Sequence, residues 1–304
     1  MELLFDNATE TIPLINSKLD IYIKKYIQKP EFANVEAKIK IANILKIQPY
    51  KIIFLNSKFE AISLIINMLK TKYNITFIDN LNPTIQQIAI FLKSKIYTLQ
   101  TIEQVHNTAV ILSYTHYLTG ELINLKSLSK KLKKNDNLII ADLSLCLGKI
   151  QMNFTKLGID IAFFSSELLH APKGLTIMID FNDILQVSDY QFLENKNYFL
   201  SSSLSYSMEQ IFNKKYYVKL KQIRDFCLKN VQNPKITFIN LPSKKYNPFI
   251  LAFKAKNTPF LSLKLKHLGL HHHYEPQKQI FRLSFSLFHT YEELKKCAEI
   301  LNSI

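Results

Sequence analysis

Short apolar runs alternate with longer amphipathic stretches through the first two thirds of the chain. Runs of strand length lie at 51–55, 75–79, 95–99 and 109–114. Stretches of helix length, without internal glycine, lie at 33–46, 59–70, 83–92 and 125–132. Pro83 suits a first helical turn, where its missing N–H group costs nothing. Alternating strands and helices with short loops predict a mainly parallel sheet that is covered on both faces.

The central stretch, residues 138–174, holds two further apolar runs that both end in polar residues. Leu138 to Ala141 is followed by Asp142, and the run at 159–164 is followed by Ser165 and Ser166. In an open α/β sheet, side chains at the carboxyl ends of the strands face the crevice where ligands bind. We therefore expect a ligand site at this edge of the sheet.

The pattern changes after a serine-rich patch at 201–207, which we interpret as a flexible polar linker or as a loop that reaches a partner subunit. A helix at about 208–230, strands at 235–240, 248–254 and 279–285, and a helix at 260–268 follow. Thr290 and Glu293 predict a capping box for a last helix. This order favours a small α+β domain. We divide the chain into an N-terminal segment (1–30), a large α/β domain (31–210) and a small C-terminal α+β domain (211–304).

The composition indicates a globular protein, since 47% of the 304 residues are hydrophobic. No apolar run reaches the roughly 18 residues of a membrane span, and the N-terminus is acidic where a signal peptide would be basic. We therefore expect a cytoplasmic protein. The cysteines, Cys146, Cys227 and Cys297, are widely spaced and predict neither a disulfide framework nor a zinc site. Three adjacent histidines, 271–273, are typical of an exposed loop, and we predict no metal there.

The net charge of +15 raises the alternative of a basic nucleic-acid-binding protein. The basic residues are nearly all lysines, however, and the densest run, 130–134, lies at a predicted helix end. Arginine occurs only at Arg224 and Arg282. Because lysine serves wherever a point charge is enough, the two arginines indicate positions where bidentate geometry matters.

Five segments resemble a known family in their order and spacing. They are the opening DNAT, KIQPYKIIFLNSKFEAISLII, AVILSYTHYLTGELINLKSLSK, the central IIADLSLCLGKI with GIDIAFFSSELLHAPKG, and the closing FRLSFSLFHTYEELKKCAEIL. Together they resemble class V aminotransferases, and within these the NifS/SufS-like cysteine desulfurases, in a degenerate and shortened form. The resemblance implies the fold-type I architecture of pyridoxal-phosphate (PLP) transferases, a homodimer, and PLP held as a Schiff base on a lysine.

The resemblance also assigns candidate site residues. Asp142 matches the aspartate that pairs with the pyridine nitrogen of PLP, and Arg282 matches the arginine that binds a substrate carboxylate. Ser165 and Ser166 lie near the serine that helps to bind the cofactor phosphate, and Lys58 could supply charge there. Two plainer interpretations stay open: Asp142 could cap the segment that follows it, and Arg282 could form a structural salt bridge.

Other family positions have lost their functional residues. The Schiff-base lysine position is Leu168, the preceding histidine is Glu167, and the histidine that stacks on the ring is near Asn80. The phosphate-binding turn, Ser-Gly-Ala-Thr-Glu in the family, is 56–60, NSKFE, and lacks the glycine. The nucleophilic cysteine would lie close to Tyr274, and no cysteine is nearby.

These losses predict a protein without PLP Schiff-base chemistry and without catalytic residues, which acts as a partner or regulator in sulfur or iron–sulfur metabolism. We expect no cofactor, or PLP if there is one, and neither a nucleic-acid nor a membrane partner. One alternative is an active PLP-dependent aminotransferase or cysteine desulfurase with relocated residues, for which Lys149 and Lys173 are the candidate lysines. The other is the basic nucleic-acid binder.

Overall fold

The computed structural model describes residues 3–8, 13–14, 17–27, 29, 31–151, 153–212, 214–240, 243, 245–256, 258–286 and 288–304. Thr9 of the DNAT segment and Pro30, where we placed the end of the N-terminal segment, lie outside these residues. Within the described part of the chain, no helix is long and apolar enough to cross a membrane.

The regular elements follow the predicted alternation closely. The helices are α1 (Ser17–Ile27), α2 (Glu31–Leu45), α3 (Lys58–Leu69), α4 (Pro83–Phe91), α5 (Leu125–Leu132), α6 (Tyr198–Ile211), α7 (Lys214–Asn230), α8 (Thr258–His267) and α9 (Tyr291–Asn302). The strands are β1 (Leu3–Leu4), β2 (Ile52–Leu55), β3 (Asn74–Ile78), β4 (Lys95–Tyr97), β5 (Thr108–Ser113), β6 (Leu138–Asp142), β7 (Ile161–Ser165), β8 (Thr176–Asp180), β9 (Ile236–Phe238), β10 (Ile250–Ala255), β11 (Leu270–His271), β12 (His273–Glu275) and β13 (Ile280–Ser284).

The described strands of the first two thirds form a seven-stranded sheet in the order β2-β8-β7-β6-β5-β3-β4. Of these seven strands, β8 alone runs opposite to the other six, so the predicted mainly parallel sheet is confirmed. Successive residues of a strand point to opposite faces. Phe163 accordingly belongs to the same buried cluster as Ile65 of α3, and Phe164 to the other cluster, with Ile41 of α2.

A smaller antiparallel sheet, in the order β12-β13-β10-β9, is built from the described C-terminal strands. The N-terminal strand β1 pairs with β11, so the start of the chain lies beside the C-terminal region. The capping box is confirmed: Thr290 Oγ1 accepts from the backbone N–H of Glu293, and the Glu293 carboxylate accepts from that of Thr290. The boundary that we placed at residue 210 stays a prediction.

Two local expectations were wrong. The serine-rich patch is neither a linker nor a loop but part of α6, and its serines are buried because the helix packs against α1 and α2. The Ser201 hydroxyl contacts Asn34 of α2, and the Ser207 hydroxyl contacts the carbonyl of Leu169. The predicted helix at 208–230 is therefore two helices, α6 and α7.

The histidines at 271–273 do not form an exposed loop. His271 ends β11 and His273 begins β12. His272 is buried, with its ring nitrogens in contact with the Ser262 hydroxyl at 3.0 Å and the Leu270 carbonyl at 2.9 Å. The exposed loop was predicted from polarity, but pairing with the neighbouring strands satisfies the polar groups instead.

Candidate functional site

A cavity of about 670 Å³ opens at the carboxyl edge of the large sheet, where the C-terminal sheet faces it. Its walls come from the N-termini of α3 and α4, the end of β7 and the turn after it, and the strands β12 and β13. Lining residues that the sequence singled out are Lys58, Ser165, Glu167, Leu168, Lys173 and Arg282. The edge predicted to carry a ligand site is thus the edge at which a cavity exists.

Asp142 ends β6 at this edge and is 4% exposed. Its Oδ1 accepts from the backbone N–H of Ser144 at 2.9 Å, which is the capping interaction that we had left open. Its Oδ2 lies 3.5 Å from the Nζ atom of Lys58, which is two positions after Asn56. The lysine thus supplies a cation opposite Asp142, from the position that is alanine in the family's phosphate turn.

The turn before α3 satisfies its own backbone groups. Ser57 is the N-cap of α3, and its Oγ accepts from the N–H of Glu60 at 3.1 Å. The Glu60 carboxylate reaches back and accepts from the backbone N–H of Asn56 at 2.7 Å and from its side-chain amide at 2.9 Å. Because Ser57 is extended, with φ at −157°, the missing glycine causes no strain. Two amides of the turn therefore already have acceptors within it.

Leu168 places an apolar side chain in the cavity wall where the resemblance puts the Schiff-base lysine. Ser165 also lines the cavity, and its backbone N–H donates to the Ser144 hydroxyl at 3.3 Å. Ser166 does not line it: the side chain is fully buried, and its hydroxyl donates to the carbonyl of Pro172 at 2.8 Å. The structure therefore brings one of the two predicted serines to the cavity.

Arg282 lies at the opposite wall, on β13, and is 3% exposed. Its Nη2 atom donates to Asp6 Oδ1 at 2.5 Å, and its Nη1 atom donates to the carbonyl of Tyr117 at 3.0 Å. The salt bridge that we had left open is thus present. Sequence reasoning missed Asp6 as a member of the site. Its place in the DNAT segment was the available signal, but the pairing of β1 with β11 and the β-bridge between Asp6 and Ser284 bring it to the cavity.

His273 is the titratable neighbour of this ion pair in the cavity wall. Burial, reinforced by the positive charge of Arg282, lowers the pKa of His273 to about 4. The imidazole is therefore neutral at physiological pH. Burial and the nearby Glu275 carboxylate raise the pKa of Tyr117 to about 12, and its hydroxyl lies 3.1 Å from that carboxylate.

Asn80 lies away from the cavity. Its side chain joins the ends of β3 and β5, donating to the carbonyl of Ser113 at 2.5 Å and accepting from the Ser113 N–H at 3.2 Å. Asn80, near the position of the family's ring-stacking histidine, therefore holds β3 and β5 together.

Of the two candidate lysines, Lys173 lines the cavity and Lys149 does not. Lys149 is 1% exposed. Its Nζ atom donates to the carbonyls of Ser144, at 3.2 Å, and Leu168, and lies 4.7 Å from the centre of the Phe249 ring. Burial lowers the pKa of Lys149 to about 7. This amine is held behind Leu168, in the wall rather than in the cavity.

Comparison with known proteins gives the family and the fold. Residues 25–189, more than half of the chain, match the family model described as aminotransferase class-V. The chain belongs to the class V aminotransferase family. No curated protein sequence matches the chain. The match of the family model confirms the predicted family.

Solved structures similar to the chain include a NifS-like protein, with 18% sequence identity, a TM-score of 0.84, and coverage of 100% of this chain and 99% of that one. The apo cysteine desulfurase of Thermococcus onnurineus has 12% identity and a TM-score of 0.81, with coverage of 99% and 94%. A C-DES mutant with glycine covalently linked to its PLP cofactor has 13% identity and a TM-score of 0.81, with coverage of 99% and 96%. These similarities confirm the predicted fold-type I architecture.

The residues of the cavity do not fit PLP as this family binds it. Leu168 cannot form an imine. The carboxylate that would face the pyridine nitrogen has the ammonium of Lys58 beside it. The amides of Asn56 and Glu60 have acceptors from within their own turn. The carboxylate and the backbone amides that would bind PLP are therefore already paired with other groups of the chain.

Proposed function

We propose that this protein is a member of the class V aminotransferase family without PLP Schiff-base chemistry, acting as a protein partner or regulator rather than as an enzyme. The observation that carries the proposal is the ion pair between Lys58 and Asp142. It adds a second obstacle to the one that Leu168 presents, because it opposes even non-covalent binding of the cofactor.

The physical reason is a competition between two cations for one buried carboxylate. A pyridinium ring and an ammonium group would both draw their binding energy from Asp142, and both cannot occupy the space beside Oδ2. Lys58 is tethered, so it loses less entropy on pairing than a free ligand would. A cofactor would have to displace this tethered ammonium before its own ring nitrogen could reach Oδ2.

An active enzyme with a relocated lysine has less support. Lys149 donates to two carbonyls in the cavity wall, and a Schiff base would require it to leave both. Lys173 reaches the cavity but matches a family lysine that has no Schiff-base role. A catalytic amine must be held close to its productive geometry, and neither lysine stands at the position of Leu168.

The biological role follows from the fold rather than from the cavity. Similarity to NifS-like structures supports a place beside sulfur transfer or iron–sulfur assembly, in a cytoplasmic homodimer that has kept the scaffold and binds another protein. We do not propose a nucleic-acid role, because the basic residues are nearly all lysines and some of the exposed ones are paired with acids, as in Lys25–Glu36 and Lys131–Glu103.

The test measures non-covalent PLP binding by equilibrium dialysis for the wild type, Lys58→Ala and the matched cavity variant Lys173→Ala. Removal of Lys58 frees Asp142, so we expect Lys58→Ala to bind PLP at least about tenfold more tightly than the other two proteins. Stoichiometric, tight binding by the wild type would contradict the proposal. So would equal binding by the wild type and Lys58→Ala.

A further inference from the structure

A second cavity, separate from the one described above, lies between the edge of the large sheet and α7. We call it the tyrosine pocket, lined by Tyr114, Tyr217, Lys221, Arg224 and Tyr246 together with Gln151, Ser243 and apolar residues. Its volume is about 460 Å³, within the range of about 300–1,000 Å³ typical of small-molecule sites. The two cavities share no lining residue among those that the structure describes.

Arg224 gives this pocket its charge. It is one of the chain's two arginines and is 3% exposed. Its Nε and Nη2 atoms donate to Asp225 Oδ1 at 3.3 and 3.2 Å, and no hydrogen bond of Nη1 is present among the described residues. Lys221 lies one helical turn earlier on the same face of α7. Arg224 and Lys221 carry two positive charges and Asp225 carries one negative charge, so the charge at the pocket is positive overall.

The phenol groups are the second feature of the tyrosine pocket. Among the described residues, the hydroxyls of Tyr114, Tyr217 and Tyr246 and the ammonium of Lys221 make no hydrogen bond to the protein. Burial raises the pKa of Tyr114, so its hydroxyl stays protonated and able to donate. Aromatic rings offer flat apolar surfaces, and Leu122, Ile150 and Pro248 extend them.

We propose that the tyrosine pocket binds a small anion carried on a flat ring, of the class of a nucleoside monophosphate. The phosphate would accept from Arg224, Lys221 and the phenols, because charge-assisted hydrogen bonds to phosphate are the strong ones. The ring would stack between tyrosines. No carboxylate lines the described part of the pocket, and the nearby Asp225 is paired with Arg224, so an anion meets little repulsion.

The test is isothermal titration of the whole protein with AMP at low ionic strength, with adenosine and inorganic phosphate as separate probes. We expect saturable AMP binding, with both fragments weaker by about tenfold or more, since each makes only half of the contacts. Absence of saturable AMP binding overturns the proposal. So does equal binding of phosphate and AMP, which would reduce the site to one for inorganic anions.

Variants locate the binding. Lys221 is exposed, so Lys221→Gln should fold normally and weaken AMP binding about tenfold, the loss of one charge-assisted hydrogen bond. Lys229→Gln, on the same helix and outside the pocket, removes the same charge and should change nothing. Arg224→Lys, a buried substitution, is the second variant and should lose more. AMP binding that survives both pocket substitutions would place it elsewhere and overturn the proposal.

Discussion

At the scale of single residues, Lys58 of the cavity wall forms an ion pair with Asp142. Asp142 is buried and holds the N–H of Ser144 through one oxygen and faces the Lys58 ammonium through the other. Desolvating a carboxylate costs free energy unless a cation compensates it, so each partner stabilises the buried state of the other.

A double-mutant cycle on these two residues measures the interaction. Lys58→Met should lower the free energy of unfolding because it leaves Asp142 uncompensated, and Asp142→Asn should lower it less. The double variant should be more stable than the sum of the two losses predicts, with a coupling of about 1–3 kcal/mol. Urea denaturation of the four proteins gives the value. Strict additivity would mean that the two side chains do not interact.

Some features of the site residues could be predicted from the sequence, and others could not. Motif spacing placed Leu168 at the family's Schiff-base lysine position, and the structure places this residue in the cavity wall; its replacement of that lysine stays a prediction. The pairing of Lys58 with Asp142, and of Arg282 with Asp6, could not be predicted. These contacts join residues 84 and 276 positions apart, and only the completed sheet topology brings them together.

At the scale of elements, the loop that follows β6 is fastened to the turn that follows β7 by Lys149. Its ammonium donates to the carbonyls of Ser144 and Leu168, one on each segment. Sequence reasoning treated this lysine as a candidate for catalysis. The structure instead makes it a link between the two segments that carry Asp142 and Leu168.

Lys149 predicts a specific pH dependence of stability. Burial lowers its pKa from 10.5 to about 7, so between these values the unfolded chain binds a proton that the folded chain lacks. Stability contributed by this group therefore rises with pH from about 7 to about 10.5, by at most about 1.4 kcal/mol per pH unit. We expect Lys149→Met to remove this rise in urea denaturation, while the exposed-site control Lys156→Met retains it. Identical pH profiles for all three proteins would contradict the assignment.

Element prediction succeeded where local signals were strong. Asn82 and Pro83 start α4, Thr290 and Glu293 cap α9, and strands with continuous apolar runs lie within a residue or two of their predicted bounds. It failed for the serines of α6. Serine is common in loops, and only the close approach of α6 to α1 and α2 explains why small side chains are required there.

At the scale of the whole molecule, the chain has the fold of the PLP-dependent enzymes, and we propose that it lacks their Schiff-base chemistry. The large sheet and the antiparallel C-terminal sheet belong to a fold that matches the similar solved structures over 99–100% of the chain. In the cavity wall, Leu168 stands where the resemblance puts the Schiff-base lysine, and Lys58 pairs with Asp142, which lies behind the wall. The fold was predictable because many positions contribute to it, whereas function depends on a few side chains.

The most direct test of the proposed loss of Schiff-base chemistry is the absorbance spectrum of the purified protein after incubation with PLP and gel filtration. The spectrum is recorded before and after borohydride reduction, and the reduced protein is then analysed by peptide mass spectrometry. We expect no visible band at one cofactor per chain and no stoichiometric PLP adduct on any single lysine. The double variant Lys58→Ala/Leu168→Lys, which restores an amine and frees Asp142, is the positive control and should gain such a band. A yellow wild-type protein whose band is abolished by borohydride, with one adduct on Lys149 or Lys173, would contradict the loss of Schiff-base chemistry.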